Sequence, residues 1–135
     1  MNTPQIIIMD NNLLFRQSLK LLLTVEHIAT VIGEASNGAE FMDILTKNKP
    51  DLVLISIPLD TKTTTELMQQ ALQYMPDLKI IAVSMFENKE FRTGMIELGV
   101  KGFLQKSGNL NDFARAFSQV MKGENYYSAK RYSAN

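Results

Sequence analysis

The chain has 135 residues, enough for one domain with a real core. Lys+Arg 14 balance Asp+Glu 14, so no bulk charge draws the molecule to nucleic acid or to a membrane surface. Cysteine is absent, which excludes disulfides, a thiol nucleophile and a thiolate metal site.

Met1 to Gln5 show neither a charged leader nor a long apolar run. No signal peptide and no membrane span are expected, and the cytoplasm is the expected compartment. Ile6-Ile7-Ile8-Met9 predicts a buried strand ending at Asp10. Leu14, Phe15, Leu19, Leu22 and Leu23 repeat at helical spacing. The single histidine, His27, follows that helix and is expected at the surface or in a cap. Thr30-Val31-Ile32-Gly33 predicts a brief strand. Asn37 with Glu40 predicts a capping box, and Phe41, Ile44 and Leu45 follow on one helix face.

Pro50-Asp51 leads into Leu52-Val53-Leu54-Ile55, a strand that ends at Ser56. Thr63 with Glu66 repeats the cap pattern ahead of the stripe Leu67, Met68, Ala71, Leu72 and Met75. Ile80-Ile81-Ala82-Val83 ends at Ser84. Phe91, Met95 and Leu98 mark a fourth helix, stopped by Gly99. Phe103-Leu104-Gln105 runs into Lys106. Asn109 with Asp112 caps a fifth helix, whose inner face is Phe113, Ala114, Phe117, Val120 and Met121. Past Gly123 no apolar period remains. Residues 1–124 are therefore expected to form the domain, and residues 125–135 a tail or the start of a linker.

Five strand–helix units in succession predict an α/β fold, a doubly wound five-stranded parallel sheet with helices on both faces. The apolar runs are continuous rather than alternating, as strands covered on both faces should be. Ligands in such sheets bind outside the carboxyl ends of the strands. Asp10, Ser56, Ser84 and Lys106 each close a strand, so they are expected to cluster there.

Three stretches resemble the response-regulator receiver domain of two-component signalling, a flavodoxin-like module. They are residues 6–12 (IIIMDNN), residues 50–56 (PDLVLIS) and residues 98–106 (LGVKGFLQK). Phe113 to Glu124 is similar to receivers that precede a LuxR-type helix-turn-helix domain. The resemblance implies an aspartyl phosphoacceptor at position 56 and an acidic pair at positions 10 and 11. It also implies a switching hydroxyl at Ser84, a switching aromatic at Phe103 and a conserved-type lysine at Lys106. Ser107 stands where many receivers have proline, a departure that also occurs in the LuxR-type branch.

Two of these positions depart from the family chemistry. Ser56 is neither an acid nor a good nucleophile, because a serine hydroxyl needs an adjacent base to attack. Asn11 is neutral, so the degenerate acidic pocket keeps only Asp10 as a carboxylate. Mg²⁺ prefers carboxylates and waters, so no cofactor is expected, or weak Mg²⁺ at most. Without the metal, Asp10 is expected either to cap the first helix or to pair with Lys106. Ser84 is then expected to be a satisfied strand-end hydroxyl, and Phe103 either a core residue or a surface-to-core switch. Asp60, a loop acid past Ser56, is a weaker substitute acceptor.

The leading expectation is a non-enzymatic degenerate receiver, a phosphorylation-independent signalling and protein-interaction module from a transcriptional regulator. Its partner or a second copy would dock on the face built by residues 88–98, Phe103 and residues 109–122, where Phe86 and Phe91 begin the region. A histidine kinase could lie upstream, and DNA would be met only through an effector domain outside these residues. The alternatives are a conventional receiver with an atypical acceptor and a small-ligand binder using the crevice. No glycine-rich phosphate loop follows the first strand, where Asn11-Asn12-Leu13 stands, which weakens a nucleotide reading.

Overall fold

The computed structural model describes residues 3–57, 61–85 and 89–127. Its elements run β1 (Gln5–Met9), α1 (Leu13–Val25), β2 (Thr30–Ala35), α2 (Gly38–Lys47), β3 (Leu52–Ile57) and α3 (Thr61–Tyr74). They continue with β4 (Ile80–Ser84), α4 (Lys89–Leu98), β5 (Gly102–Gln105), α5 (Leu110–Met121) and β6 (Tyr126–Tyr127). All pairings are parallel, in the order β2-β1-β3-β4-β5-β6. The chain order reverses direction between β1 and β3, which opens the crevice where this topology places its ligands.

Alternate residues of each strand feed two separate cores. Ile7, Val53, Ile55, Ile80, Ala82 and Phe103 join Phe41, Leu45, Met68 and Met95 on the side of α2, α3 and α4. Ile6, Ile8, Leu52, Leu54, Ile81 and Leu104 join Leu19, Leu23, Phe113 and Phe117 on the side of α1 and α5. The period of two along each strand divides an unbroken apolar run between both faces.

The caps follow the sequence closely at two helices. Asn37 Oδ1 accepts from the Glu40 amide at 2.9 Å, and Asn109 Oδ1 accepts from the Asp112 amide at 3.0 Å. At α2 the reciprocal arm lands one residue early, since Glu40 Oε1 takes the Ser36 amide and hydroxyl, both at 2.8 Å. That backbone bond first, and the hydroxyl with it, hold the Glu40 carboxyl below its ordinary range. At α3 the helix already runs from Thr61, so Thr63 lies inside it rather than at its cap. His27 is exposed with φ 56, at the left-handed position that ends α1. Ile28 donates to Leu23 O at 2.9 Å and His27 to Thr24 O at 3.2 Å, the two bonds that close such a helix end.

Three expectations need amendment. Of the leucines at helical spacing in α1, only Leu19 and Leu23 are buried; Leu14 is 76% and Leu22 48% exposed. Leu19 and Leu23 lie one turn apart on the side facing the sheet, while Leu14 points to the opposite side. Met121, expected on the inner face of α5, is 40% exposed, and Ala116 is the buried small residue there. The five expected strands are joined by a sixth, two residues long, inside the segment expected to be a tail. Tyr126 donates its amide to Lys101 O at 2.8 Å, and Tyr127 donates its hydroxyl to Val100 O at 2.9 Å. Gly102 permits this approach, because a Cβ there would stand 3.1 Å from Tyr126 O. Tyr127 also packs its ring at a tilt against Phe103 with ring centroids 5.4 Å apart, a contact that two residues without a period do not announce.

Candidate functional site: a closed serine–aspartate–lysine cluster

The carboxyl ends of β1, β3, β4 and β5 finish side by side. Met9 pairs with Ile55, Ile57 with Ser84, and Ser84 with Gln105. The Lys106 amide then donates to Ser84 O at 2.7 Å, which extends the ladder and delivers the lysine to the crevice.

Asp10 is the centre of the cluster and is almost wholly buried. Ser56 Oγ donates to Asp10 Oδ2 at 2.5 Å, and Lys106 Nζ lies 2.8 Å from the same oxygen. Asp10 Oδ1 accepts the Asn12 amide at 2.8 Å. Both carboxylate oxygens are therefore engaged by protein donors. A buried carboxylate requires such satisfaction, because an isolated buried charge is costly. Of the two roles expected for Asp10, the lysine pairing is the one present. The α1 cap is Asn12, whose Oδ1 accepts from the Phe15 amide at 3.0 Å.

Arg16 supports this arrangement from α1. Its Nη1 donates to Asp10 O at 2.5 Å, and its Nε sits 3.0 Å from Glu34 Oε1. Lys20 reaches the other Glu34 oxygen at 3.0 Å. Burial of Glu34 pushes its carboxyl up, but the hydrogen bonds and charges of Lys20 and Arg16 outweigh it and hold the group below its ordinary range. Lys106 also stands 4.4 Å from the centre of the Phe15 ring, a cation–π contact that fixes its stem. Sequence reasoning missed Arg16 and Asn12. The Asn-x-x-Phe cap at Asn12 was a legible signal; the backbone-directed Arg16 left none.

A cavity of about 360 Å³ opens over the cluster. Asn11, Asn37, Thr63 and Ser56 give it neutral polar groups, the buried Met9, Ile57 and Leu67 give it an apolar floor, and the exposed Met85 lines it too. Asn11 thus shares the crevice with Asp10, Ser56 and Lys106. Ser84 closes its strand beside them and is not among the residues lining the cavity. Phe103 lies apart, buried on the α4 side, with the Arg92 guanidinium 5.5 Å from its ring centre. Asp60 lies outside the described residues.

The donor set does not suit Mg²⁺. Among the described residues no three His, Cys, Asp or Glu side chains gather as a metal group. The crevice offers one carboxylate, an amide and a hydroxyl, and Lys106 and Ser56 already occupy the carboxylate oxygen that faces them. Hard divalent cations take oxygen ligands with carboxylate charge, and here that charge is neutralised by lysine.

Residues 6–118 match the family model for the response regulator receiver domain. The chain is 26% identical over 129 residues to the transcriptional regulatory protein DegU of Brevibacillus brevis, covering 96% of this chain and 55% of that one. It is 26% identical over 124 residues to the response regulator GacA of Pseudomonas aeruginosa, covering 92% and 58%. The chain thus spans a little over half the length of the curated relatives it matches. Among solved structures it superposes with TM-score 0.84 on a LuxR-family two-component response regulator from Aurantimonas sp. SI85-9A1, at 20% identity and covering 93% of this chain and 89% of that one. The non-phosphorylated receiver domain of RcsB from Escherichia coli gives TM-score 0.84 at 19% identity, covering 93% and 98%. Fold, strand order and the matched span agree: the chain belongs to the response regulator receiver domain family.

Proposed function

We propose that this receiver works without phosphoryl transfer, as a regulatory and protein-interaction module of a transcriptional response regulator in the cytoplasm. The observation that carries this reading is the closed Ser56–Asp10–Lys106 cluster. An ordinary acceptor is an exposed carboxylate; here a hydroxyl stands in its place and spends its proton on Asp10. Among the described residues Asp10 is the carboxylate within hydrogen-bond reach of Ser56, and it is already bound to an ammonium group. Lys106 and Ser56 share that one carboxylate oxygen. Weak Mg²⁺ binding at most follows from the same donor set. Signalling by contact is the function this cluster supports.

The contacts are assigned to the face of α4, β5 and α5, where Ile96 and Met121 are exposed at 39% and 40%. A protein partner on that face would sense the Phe103–Arg92 contact behind it. An upstream histidine kinase would then act as a docking partner rather than a phosphodonor, and DNA would be reached through an effector domain elsewhere in the full-length protein. Phosphotransfer with acetyl phosphate, followed by intact-mass spectrometry, tests this reading. A second reading, a small-ligand receiver, is favoured by the 360 Å³ cavity and its apolar floor. Thermal-shift screening with neutral small molecules tests it, since a ligand bound only by the folded state raises the melting temperature.

A further inference from the structure

A groove of about 310 Å³ runs between α3 and α4. Phe91, Met95 and Leu98 of α4 make its apolar floor; Met95 is buried, and the other two are half-buried against the same core. One residue earlier at each step, the exposed Glu90, Gly94 and Glu97 form its rim. Both triplets follow spacings of four and three residues, the spacing of a helix–helix seam. Thr65 and Gln69 of α3 supply an uncharged opposite wall.

We propose that this groove docks a basic amphipathic helix of another protein. The apolar residues of that helix lie on the Phe91–Met95–Leu98 floor, its backbone passes close over Gly94, and its Lys or Arg side chains meet Glu90 and Glu97. Two observations select this occupant. The first is charge. No cation lines the groove, and neither Glu90 nor Glu97 forms an ion pair among the described residues. The two acids stand two helical turns apart, about 10 Å along the axis, which matches basic residues seven apart on a second helix. Opposite charges on a rim set register and speed the encounter, while an apolar floor holds the partner.

The second observation is Gly94. A glycine inside a helix weakens it, and such a residue calls for a reason. Packing within this molecule supplies none, because a Cβ added at Gly94 would meet no atom within 4 Å. What the missing side chain does provide is room over the rim, midway between the two acids, for another backbone to approach. The surface is distinct from the α4–β5–α5 face, since Ile96 and Met121 do not line it. It also owes nothing to the chemistry of Ser56.

Selection from a displayed library of amphipathic helices against the full 135-residue chain tests the proposal. Recovered helices should carry Lys or Arg seven residues apart, with apolar residues between them. Fluorescence anisotropy with the recovered peptide then reads its affinity. Glu90→Gln with Glu97→Gln should weaken binding by about tenfold at low salt, and the difference should shrink as salt rises. Gly94→Leu should raise the melting temperature, because leucine favours the helix, yet weaken binding by at least about 30-fold. A purely structural glycine would not couple a gain in stability to a loss of binding. Ile96→Glu should leave the affinity unchanged. A selection that recovers no helix, or only acidic or uncharged ones, overturns the proposal, and so does binding indifferent to Gly94→Leu. If Lys130→Glu with Arg131→Glu tightens peptide binding, the chain's own end competes for the groove, and an outside partner is ruled out as its occupant. A dimer that dissociates on Gly94→Leu, read by sedimentation velocity, would assign the groove to a second copy and overturn the proposal as well.

Discussion

Lys106 Nζ and Ser56 Oγ share one oxygen of Asp10, Oδ2, at 2.8 and 2.5 Å. The charge of Asp10 is buried, so its stability depends on these two donors together with the Asn12 amide on Oδ1. Lys106→Met should therefore destabilise the fold by about 3 kcal/mol, the scale for removing one partner of a buried ion pair. Asp10→Asn combined with Lys106→Met should recover most of that loss. Urea unfolding of the four members of the cycle measures the coupling. A Lys106→Met variant as stable as the parent would show that the pair contributes nothing.

Rebuilding the carboxylate set should rebuild a metal site. Asn11→Asp with Ser56→Asp places three acids around the crevice, and Lys106 can pair with only one of them. Calorimetric titration with MgCl₂ is expected to show binding in the double variant and little or none in the parent. Clear sub-millimolar binding by the parent would contradict the donor-set argument.

Strand β6 depends on the missing side chain at Gly102. Gly102→Val would place a Cβ 3.1 Å from Tyr126 O and 3.3 Å from Ile81 Cγ1. The expected cost is about 1–3 kcal/mol, in the range for overpacking. Amide exchange at Tyr126 should accelerate before exchange in β4 does. Protection at Tyr126 equal to that of the parent would show that β6 does not need this close approach.

Stability should fall in acid partly through Glu34. Its folded value lies below the ordinary glutamate value of about 4.3, because Lys20 and Arg16 outweigh its burial. The contribution is present above that ordinary value and is lost as pH drops through the lower folded value. Urea unfolding of the parent and Glu34→Gln should therefore differ at pH 7 and converge in acid. A difference that stays constant with pH would contradict the pairing.

The strand ends were legible because each apolar run stops at a polar residue. Asp10, Ser56 and Lys106 could be placed together before any distance was known. The caps at Asn37 and Asn109 were legible for a similar reason, since an Asn with an acid three residues on has one local meaning. Leu14 and Leu22 were not, because an apolar residue at helical spacing looks the same whether it faces the sheet or solvent. β6 was hidden because Tyr126 and Tyr127 are held by a glycine and a phenylalanine more than twenty residues earlier. The support from Arg16 was hidden too, because its target is a backbone carbonyl, which has no sequence signature.

Ser56 is proposed not to accept a phosphoryl group. Its hydroxyl donates to Asp10, the Asp10 oxygen that receives it is also bound by Lys106, and a hydroxyl stands where the family's acceptor carboxylate would be. The direct measurement is intact-mass spectrometry of the protein after incubation with acetyl phosphate and MgCl₂. An unchanged mass is expected, alongside a phosphate adduct on an ordinary aspartyl receiver treated in parallel. A phosphate adduct on this chain that disappears in Ser56→Ala would contradict the claim.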